Sequence, residues 1–313
     1  MSGLEYRKEV PFQNVYFTGI VRDKQRRKMS KQLGNSPDPI ELIEKYGADG
    51  VRVGSLLSSA AGNDLLFDEE LMLQGRNFAT KIWNAYKLIQ GWKKDETIKS
   101  AEADQQAIEW FGNQMNKTIA EIADQFEKFR ISDALHLLYK LIWDDFCSWY
   151  LEAIKPAYGE PISKEVYDQT ILYFEELMKL LHPFMPFLSE ELWQNISERT
   201  PENALVISQQ KKDATFDESI IKDFENSKEL ISGVRNYRQS KGISPREDVE
   251  VFTNASSFDN ENLVKKLANI SQIHFATKTD KPSYSFLMGG TEISIPLSET
   301  LDRSSMKHIL FLA

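Results

Sequence analysis

The chain has 313 residues, 41% hydrophobic and 27% charged, a balance that fits a soluble globular protein of two or three domains and excludes a disordered or fibrous one. No apolar run reaches bilayer length, the N-terminus lacks a signal-peptide pattern, and the lone Cys147 excludes an intrachain disulfide and a cysteine-rich metal site; a cytoplasmic protein without membrane contact is expected. The net charge of −9 argues against nucleic acid only until its distribution is read, because residues 22–31 carry six basic side chains against one Asp, and residues 71–94 hold Arg76, Lys81, Lys87, Lys93 and Lys94 with no acid.

In chain order, Val15, Phe17, Ile20 and Val21 suggest a strand that breaks into the basic loop, which ends at Leu33-Gly34-Asn35. Asp38 as N-cap with Pro39 at the first helical position predicts a helix to Tyr46, ended by Gly47, and a second helix is expected over Ala48 to Ala60, closed by Gly62-Asn63-Asp64. From Leu71 the pattern becomes one of long amphipathic helices. Phe78, Ile82, Ala85 and Ile89 form one buried stripe; Ile108, Phe111, Met115, Ile119, Ile122 and Phe126 form the next. Leu135, Leu138, Ile142, Phe146 and Trp149 follow an expected Ser132 cap, with Cys147 as a buried thiol, and Val166 to Leu180 make a fourth helix that stops at His182-Pro183. Ser189 is the expected cap of a short helix through Trp193 and Ile196. Trp83, Trp143 and Trp149 are expected in the core.

Beyond residue 213 a helix runs to about Lys241, carrying Arg235, Arg238 and Lys241 as a basic ridge open to phosphate contact or plain solvation. Period-two strands follow at Val249/Val251, Tyr284/Phe286/Met288 and Ile293/Ile295/Leu297, with a helix marked by Leu263, Leu267 and Ile270 between them. The expected fold is mainly α. A loop-bearing and stem-contact segment (1–70) precedes an antiparallel helical bundle (71–213), a small α/β domain (214–300) and a tail (301–313) without the look of a coiled-coil arm.

Chemistry is concentrated in the basic loop. Lys28 and Lys31, placed between a strand and a capped helix, have the composition of a mobile phosphate clamp. The run Lys28-Met29-Ser30-Lys31-Gln32-Leu33-Gly34-Asn35, followed by Asp38-Pro39 and Lys45-Tyr46-Gly47-Ala48-Asp49 with Arg52, resembles the signature loop of the class I aminoacyl-tRNA synthetases, in the branch serving valine, isoleucine and leucine. Gln32 departs from the family's Ser and leaves both lysines in place. Gly62-Asn63-Asp64, Gly75-Arg76-Asn77-Phe78, Lys81-Ile82-Trp83-Asn84-Ala85 and the stretch Trp143 to Glu152 are most similar to the valine-specific members.

The resemblance implies amino-acid activation by ATP with Mg2+ and transfer to tRNA(Val). Lys28 and Lys31 would act electrostatically on the leaving phosphates, Lys31 as the more direct ATP ligand, while Met29 and Ser30 shape the loop. It also implies an anticodon-binding role for the helical part, for which the acid-free helix offers Arg76, Asn77, Lys81, Asn84, Lys87 and Leu88. The family's His-x-Gly-His loop is absent, as are a Walker A pattern and His-Glu-x-x-His; the histidines, His136, His182, His274 and His308, stand apart from one another. No metal site is expected, and the chain is expected to be a monomeric part of a larger enzyme, unable to aminoacylate alone. A free-standing tRNA-binding module, an isoleucine-specific fragment and a helical scaffold without RNA are the alternatives.

Overall fold

The computed structural model describes residues 2–58, 62–210 and 215–297, and the chain is helix-rich with small sheets. After a short helix α1 (Ser2–Arg7) come β1 (Val21–Arg22), α2 (Pro39–Tyr46), α3 (Ala48–Leu57), β2 (Leu65–Leu66), α4 (Glu69–Gln90), β3 (Lys94–Asp95) and α5 (Glu102–Glu127). Helix α6 (Ile131–Lys140) continues without a break through a π-helical run, Leu141–Tyr150, into α7 (Leu151–Ile154). Then follow β4 (Ile162–Ser163), α8 (Lys164–Leu181), α9 (Pro186–Ile196), α10 (Glu218–Lys241), β5 (Val249–Thr253), α11 (Glu261–Ala268), β6 (Ile270–His274), β7 (Ser283–Met288) and β8 (Thr291–Pro296). The residues fall into two compact units, each discontinuous in sequence: 1–90, 118–144 and 173–214 in the first, 91–117, 145–172 and 215–313 in the second.

In the first unit, α2 begins as its residues dictate, with the Asp38 carboxylate accepting from the Ile40 N–H at 2.8 Å and Pro39 at the first position. Gly47, at φ 77°, ends it and turns the chain into α3. Helices α3 and α4 then approach so closely that a Cβ on Gly75 would lie 2.4 Å from the Gly50 carbonyl oxygen. Glycine there permits backbone contact between the helices, and the flanking Leu42, Tyr46 and Met72 close a small core. The Phe78 stripe of α4 is buried as expected, with the Phe78 ring 4.5 Å from Tyr139.

The second unit holds a four-stranded sheet in the order β6-β5-β8-β7. Strands β5 and β6 are parallel, joined by the α11 crossover, while β8 runs antiparallel to both β5 and β7. Leu230, Ile231, Val234 and Tyr237 of α10 and Val264 and Ala268 of α11 bury against Val251, Ile273, Ile293 and Ile295 of the sheet. Elsewhere in this unit Trp110 stacks on Phe224, and Phe111, Phe146 and Tyr150 pack together, with the Tyr150 hydroxyl 2.9 Å from that of Thr170.

Several local expectations are corrected. Residues 11–20 do not form a strand: only Val21–Arg22 pairs, with a two-residue partner, and Val15 and Phe17 are exposed. Ser132 is not a cap; α6 starts at Ile131, and the buried Ser132 hydroxyl donates to the Leu57 carbonyl, one of those the end of α3 leaves open. Ser189 likewise lies inside α9, donating to the Met185 carbonyl at 2.7 Å. The first N–H groups of α9 are met instead by the buried Asp49 carboxylate of α3, which accepts from Leu188 at 2.7 Å and from Phe187 at 3.4 Å. Burial raises the Asp49 pKa above the ordinary carboxylate value, the two N–H donors opposing it.

Helix α3 ends at Leu57, short of the expected Ala60, and Ser59 to Ala61 lie outside the described residues, as does the tail 301–313 with His308. Ile270 belongs to a strand, because Asn269 takes the left-handed conformation that ends α11. Trp83, Trp143 and Trp149 are half-buried, whereas Trp110 occupies the deepest position.

Arg238 is the largest correction. It belongs to no surface ridge: the side chain is 4% exposed, and its guanidinium donates to the carbonyls of Ala268, Glu247 and Asn269. Three backbone acceptors at the end of α11 and the approach to β5 take its two terminal nitrogens, while its buried Nε has no hydrogen-bond partner among the described residues. Arg235 is exposed, over the Trp149 ring at 5.6 Å.

Candidate functional site

The basic loop is a tight, internally hydrogen-bonded turn in the first unit. It rises from β1, which pairs in parallel with β2, and is anchored at its base by Asp64. That carboxylate accepts from the Ile20 N–H at 2.9 Å and from the Arg22 guanidinium, which holds its pKa below the ordinary range. A Cβ on Gly19 would overlap the Asn63 carbonyl, so glycine is what lets the two strands meet here. Chain direction reverses between Arg22 and Lys28, which form an antiparallel bridge.

Inside the turn, Asp23 and Asn35 work as a pair. The Asp23 carboxylate accepts the N–H groups of Gln25 (3.0 Å) and Arg27 (2.9 Å), the Arg27 Nε (2.9 Å) and the Asn35 amide nitrogen (2.9 Å). The other end of the Asn35 amide accepts from the Ser30 N–H at 2.9 Å. One side chain therefore ties the start of the loop to its end. These donors, Asn35 first and Arg27 after it, lower the Asp23 pKa from 3.8 to about 2.

With its folded pKa below that of a free Asp, ionised Asp23 supports the folded loop at every pH above the ordinary carboxylate range. The contribution is lost as pH falls through about 2. A carboxyl-carbon NMR titration is expected to show Asp23 changing near pH 2 and, in Asn35→Ala, at higher pH; a wild-type midpoint near 4 would contradict the pairing.

Of the residues singled out in the sequence, Met29 is half-buried and its N–H donates to the Val21 carbonyl at 3.1 Å. The Ser30 hydroxyl accepts from the Leu33 N–H at 3.3 Å and caps the single turn Lys31–Leu33, which Gly34 ends at φ 64°. Lys28 and Lys31 are exposed and, among the described residues, have no ion pair. Three of the other basic residues do: Arg22 with Asp64, Lys24 with Asp68 at 3.2 Å, and Arg27 with Asp23 at 2.8 Å. Charge that looks uniform in the sequence is thus divided into committed and uncommitted cations.

On α4, Asn77, Lys81, Asn84 and Leu88 repeat the four-three-four spacing of the buried stripe shifted by one residue, so they make one line along the helix. Asn77, Asn84 and Leu88 are exposed and Lys81 is half-buried, its ammonium 5.4 Å from the Trp143 ring centre. Lys87 lies off that line and over Trp83 at 5.7 Å. Arg76 is also off it, and its guanidinium donates to the Lys45 carbonyl at 3.1 Å, joining α4 to the end of α2. Six candidates therefore divide into a line of four, three of them polar, and two cations off that line.

What the sequence reading missed is the support of the loop. Asp64 and Asn35 stood only as parts of a pattern, and Asp23 only as the one acid in a basic run. The available signal was that single Asp among six cations, four residues before Arg27.

Residues 109–253 match the family model for the anticodon-binding domain of tRNA ligase, and residues 1–68 match that for tRNA synthetases class I (I, L, M and V). The chain belongs to the class I tRNA synthetases. Within that class it is similar to the valine–tRNA ligase of Christiangramia forsetii, 52% identical over 98% of this chain and 36% of the relative. Those of Phocaeicola vulgatus, at 51%, and Bacteroides thetaiotaomicron, at 48%, each cover 96% of this chain and 35% of their own length. The chain spans about a third of the length of the curated relatives it matches. No helix among the described residues is long and apolar enough to cross a membrane.

Proposed function

We propose that this chain is the part of a cytoplasmic, monomeric valine–tRNA ligase that clamps the phosphates of ATP and holds the anticodon end of tRNA(Val). The observation that carries the reading is the loop tied by Asp23 and Asn35, which leaves the ammonium groups of Lys28 and Lys31 exposed and outside its ion pairs. When the valine carboxylate attacks the α-phosphorus, negative charge grows on the leaving pyrophosphate. Two cations on a loop whose backbone is already fixed meet that charge without a proton transfer. Mg2+ would arrive on the phosphates of ATP and neutralise part of their charge.

The tRNA role falls to the helices of 71–213, taken as the antiparallel bundle, which the α/β part of 214–300 follows in the sequence. The line Asn77, Lys81, Asn84 and Leu88 offers amide groups for base edges and a cation for the backbone, and Arg76 and Lys87 flank it. Binding of tRNA(Val) and tRNA(Ile) transcripts to the 313-residue chain at 50 and at 200 mM salt tests this. Expected is a preference for tRNA(Val), affinity falling at least roughly tenfold between the two salts, and weaker binding at both for Lys81→Ala/Lys87→Ala. No tRNA binding at either salt would overturn it.

A further inference from the structure

Six cations crowd into residues 22–31, and the ion pairs among the described residues account for three of them. Lys28 and Lys31 are two of the remainder. Arg26 is the third, exposed and without an ion pair among the described residues. Its backbone is the unusual feature: φ is 63°, the left-handed region that a side chain with a Cβ occupies at a cost and that glycine occupies freely.

The turn demands this conformation. The Arg26 N–H donates to the Asp23 carbonyl at 2.8 Å, while its own carbonyl accepts from the Arg22 guanidinium at 3.1 Å, which Asp64 in turn holds. With the neighbouring Asp23 N–H donating to the Arg27 carbonyl at 2.9 Å, residue 26 has no freedom to relax. Glycine would meet the same geometry at lower cost, so the side chain is kept against the local preference of the backbone. A long, cationic, solvent-facing side chain held in a strained turn suits contact with an external anion better than any internal role.

We propose that Arg26 is a third phosphate-binding residue of the loop, acting with Lys28 and Lys31 on a polyphosphate; this rests on the reading of the loop as a phosphate clamp. Guanidinium presents paired donors to two phosphate oxygens, which the two ammonium groups cannot do. Arg26 thus supplies orientation where the lysines supply charge.

The test is calorimetric binding of inorganic tripolyphosphate to the full chain at low salt, with thermal melting of the same variants. Arg26→Gly is expected to melt higher than wild type and to bind tripolyphosphate roughly tenfold more weakly, about the loss of one charge-assisted contact. Arg26→Asn, which keeps the turn without the charge, is expected to weaken binding equally. Unchanged affinity in both variants overturns the inference. In that case, lost binding in Lys28→Ala/Lys31→Ala would leave the phosphate clamp standing, and unchanged binding there would remove it as well. Weakening in the Arg26 variants alone would keep Arg26 as a phosphate ligand and discard the lysines.

Discussion

Arg238→Met is expected to destabilise the second unit by about 3–5 kcal/mol, the largest effect of any single substitution considered for stability. The guanidinium is buried and serves three carbonyls, those of Ala268, Glu247 and Asn269. A buried acceptor stripped of its donor costs about 1–3 kcal/mol, and hydrogen bonds from a charged donor contribute about 1.5–3 kcal/mol each, though not additively. Relief of the desolvation penalty on the guanidinium, which already lowers the Arg238 pKa, offsets part of this. The three acceptors lie where α11 hands over to β6 and where the chain approaches β5, so the loss should loosen the parallel pairing of those strands. Urea unfolding and hydrogen exchange at β5 and β6 measure it. Arg238→Lys should recover only part of the loss, since an ammonium cannot span three carbonyls with a planar fork. A melting curve that superimposes on wild type would show that the carbonyls find water instead.

The second large effect concerns catalysis in the full-length ligase. Lys31→Ala is expected to lower ATP–pyrophosphate exchange by roughly 10²–10³-fold, the usual loss when one preorganised electrostatic contact to a developing charge is removed. Lys28→Ala should cost less if Lys31 is the more direct ligand. Because both ammonium groups are exposed and outside the ion pairs of the loop, neither variant should change the melting temperature by more than a degree or so. The KM for valine should also stay near wild type, since the loop is proposed to act on phosphate. Exchange activity within a factor of three of wild type in Lys31→Ala would rule out the clamp. The 313-residue chain alone is expected to show no exchange, and a signal from it would overturn its description as a dependent part of the enzyme.

Helix faces were legible because burial imposes a period that a single line of sequence displays. The stripe Phe78, Ile82, Ala85 and Ile89 is buried throughout, and the Asp38-Pro39 start and Gly47 stop of α2 stand where local chemistry puts them. Caps supplied from a distance were not legible. Asp49 serves α9 across a sequence gap of 139 residues at Leu188, which left Ser189 as the only visible candidate. The strand β6 was hidden for a related reason: Ile270 continues the helical spacing of Leu263 and Leu267, and only the left-handed Asn269 breaks it.

The candidate site shows the same division. The run Lys28-Met29-Ser30-Lys31 could be recognised from order alone, and so could the family, because a single loop that meets phosphate carries its cations close in sequence. Which cations remain available could not. Arg22, Lys24 and Arg27 are neutralised by carboxylates at Asp64, Asp68 and Asp23, and two of those partners become neighbours only when β1 pairs with β2. In the same way Arg238 looks from its neighbours Arg235 and Lys241 like part of a basic surface, and becomes the hub of a buried hydrogen-bond set only once α11 folds against α10. Sequence by itself determined the periodic, local and short-range features of this protein: its helical faces, its first caps, its signature loop and the class it belongs to. Tertiary structure decided how each charge is used, because whether a charge is free, paired or buried depends on neighbours that chain order does not bring together.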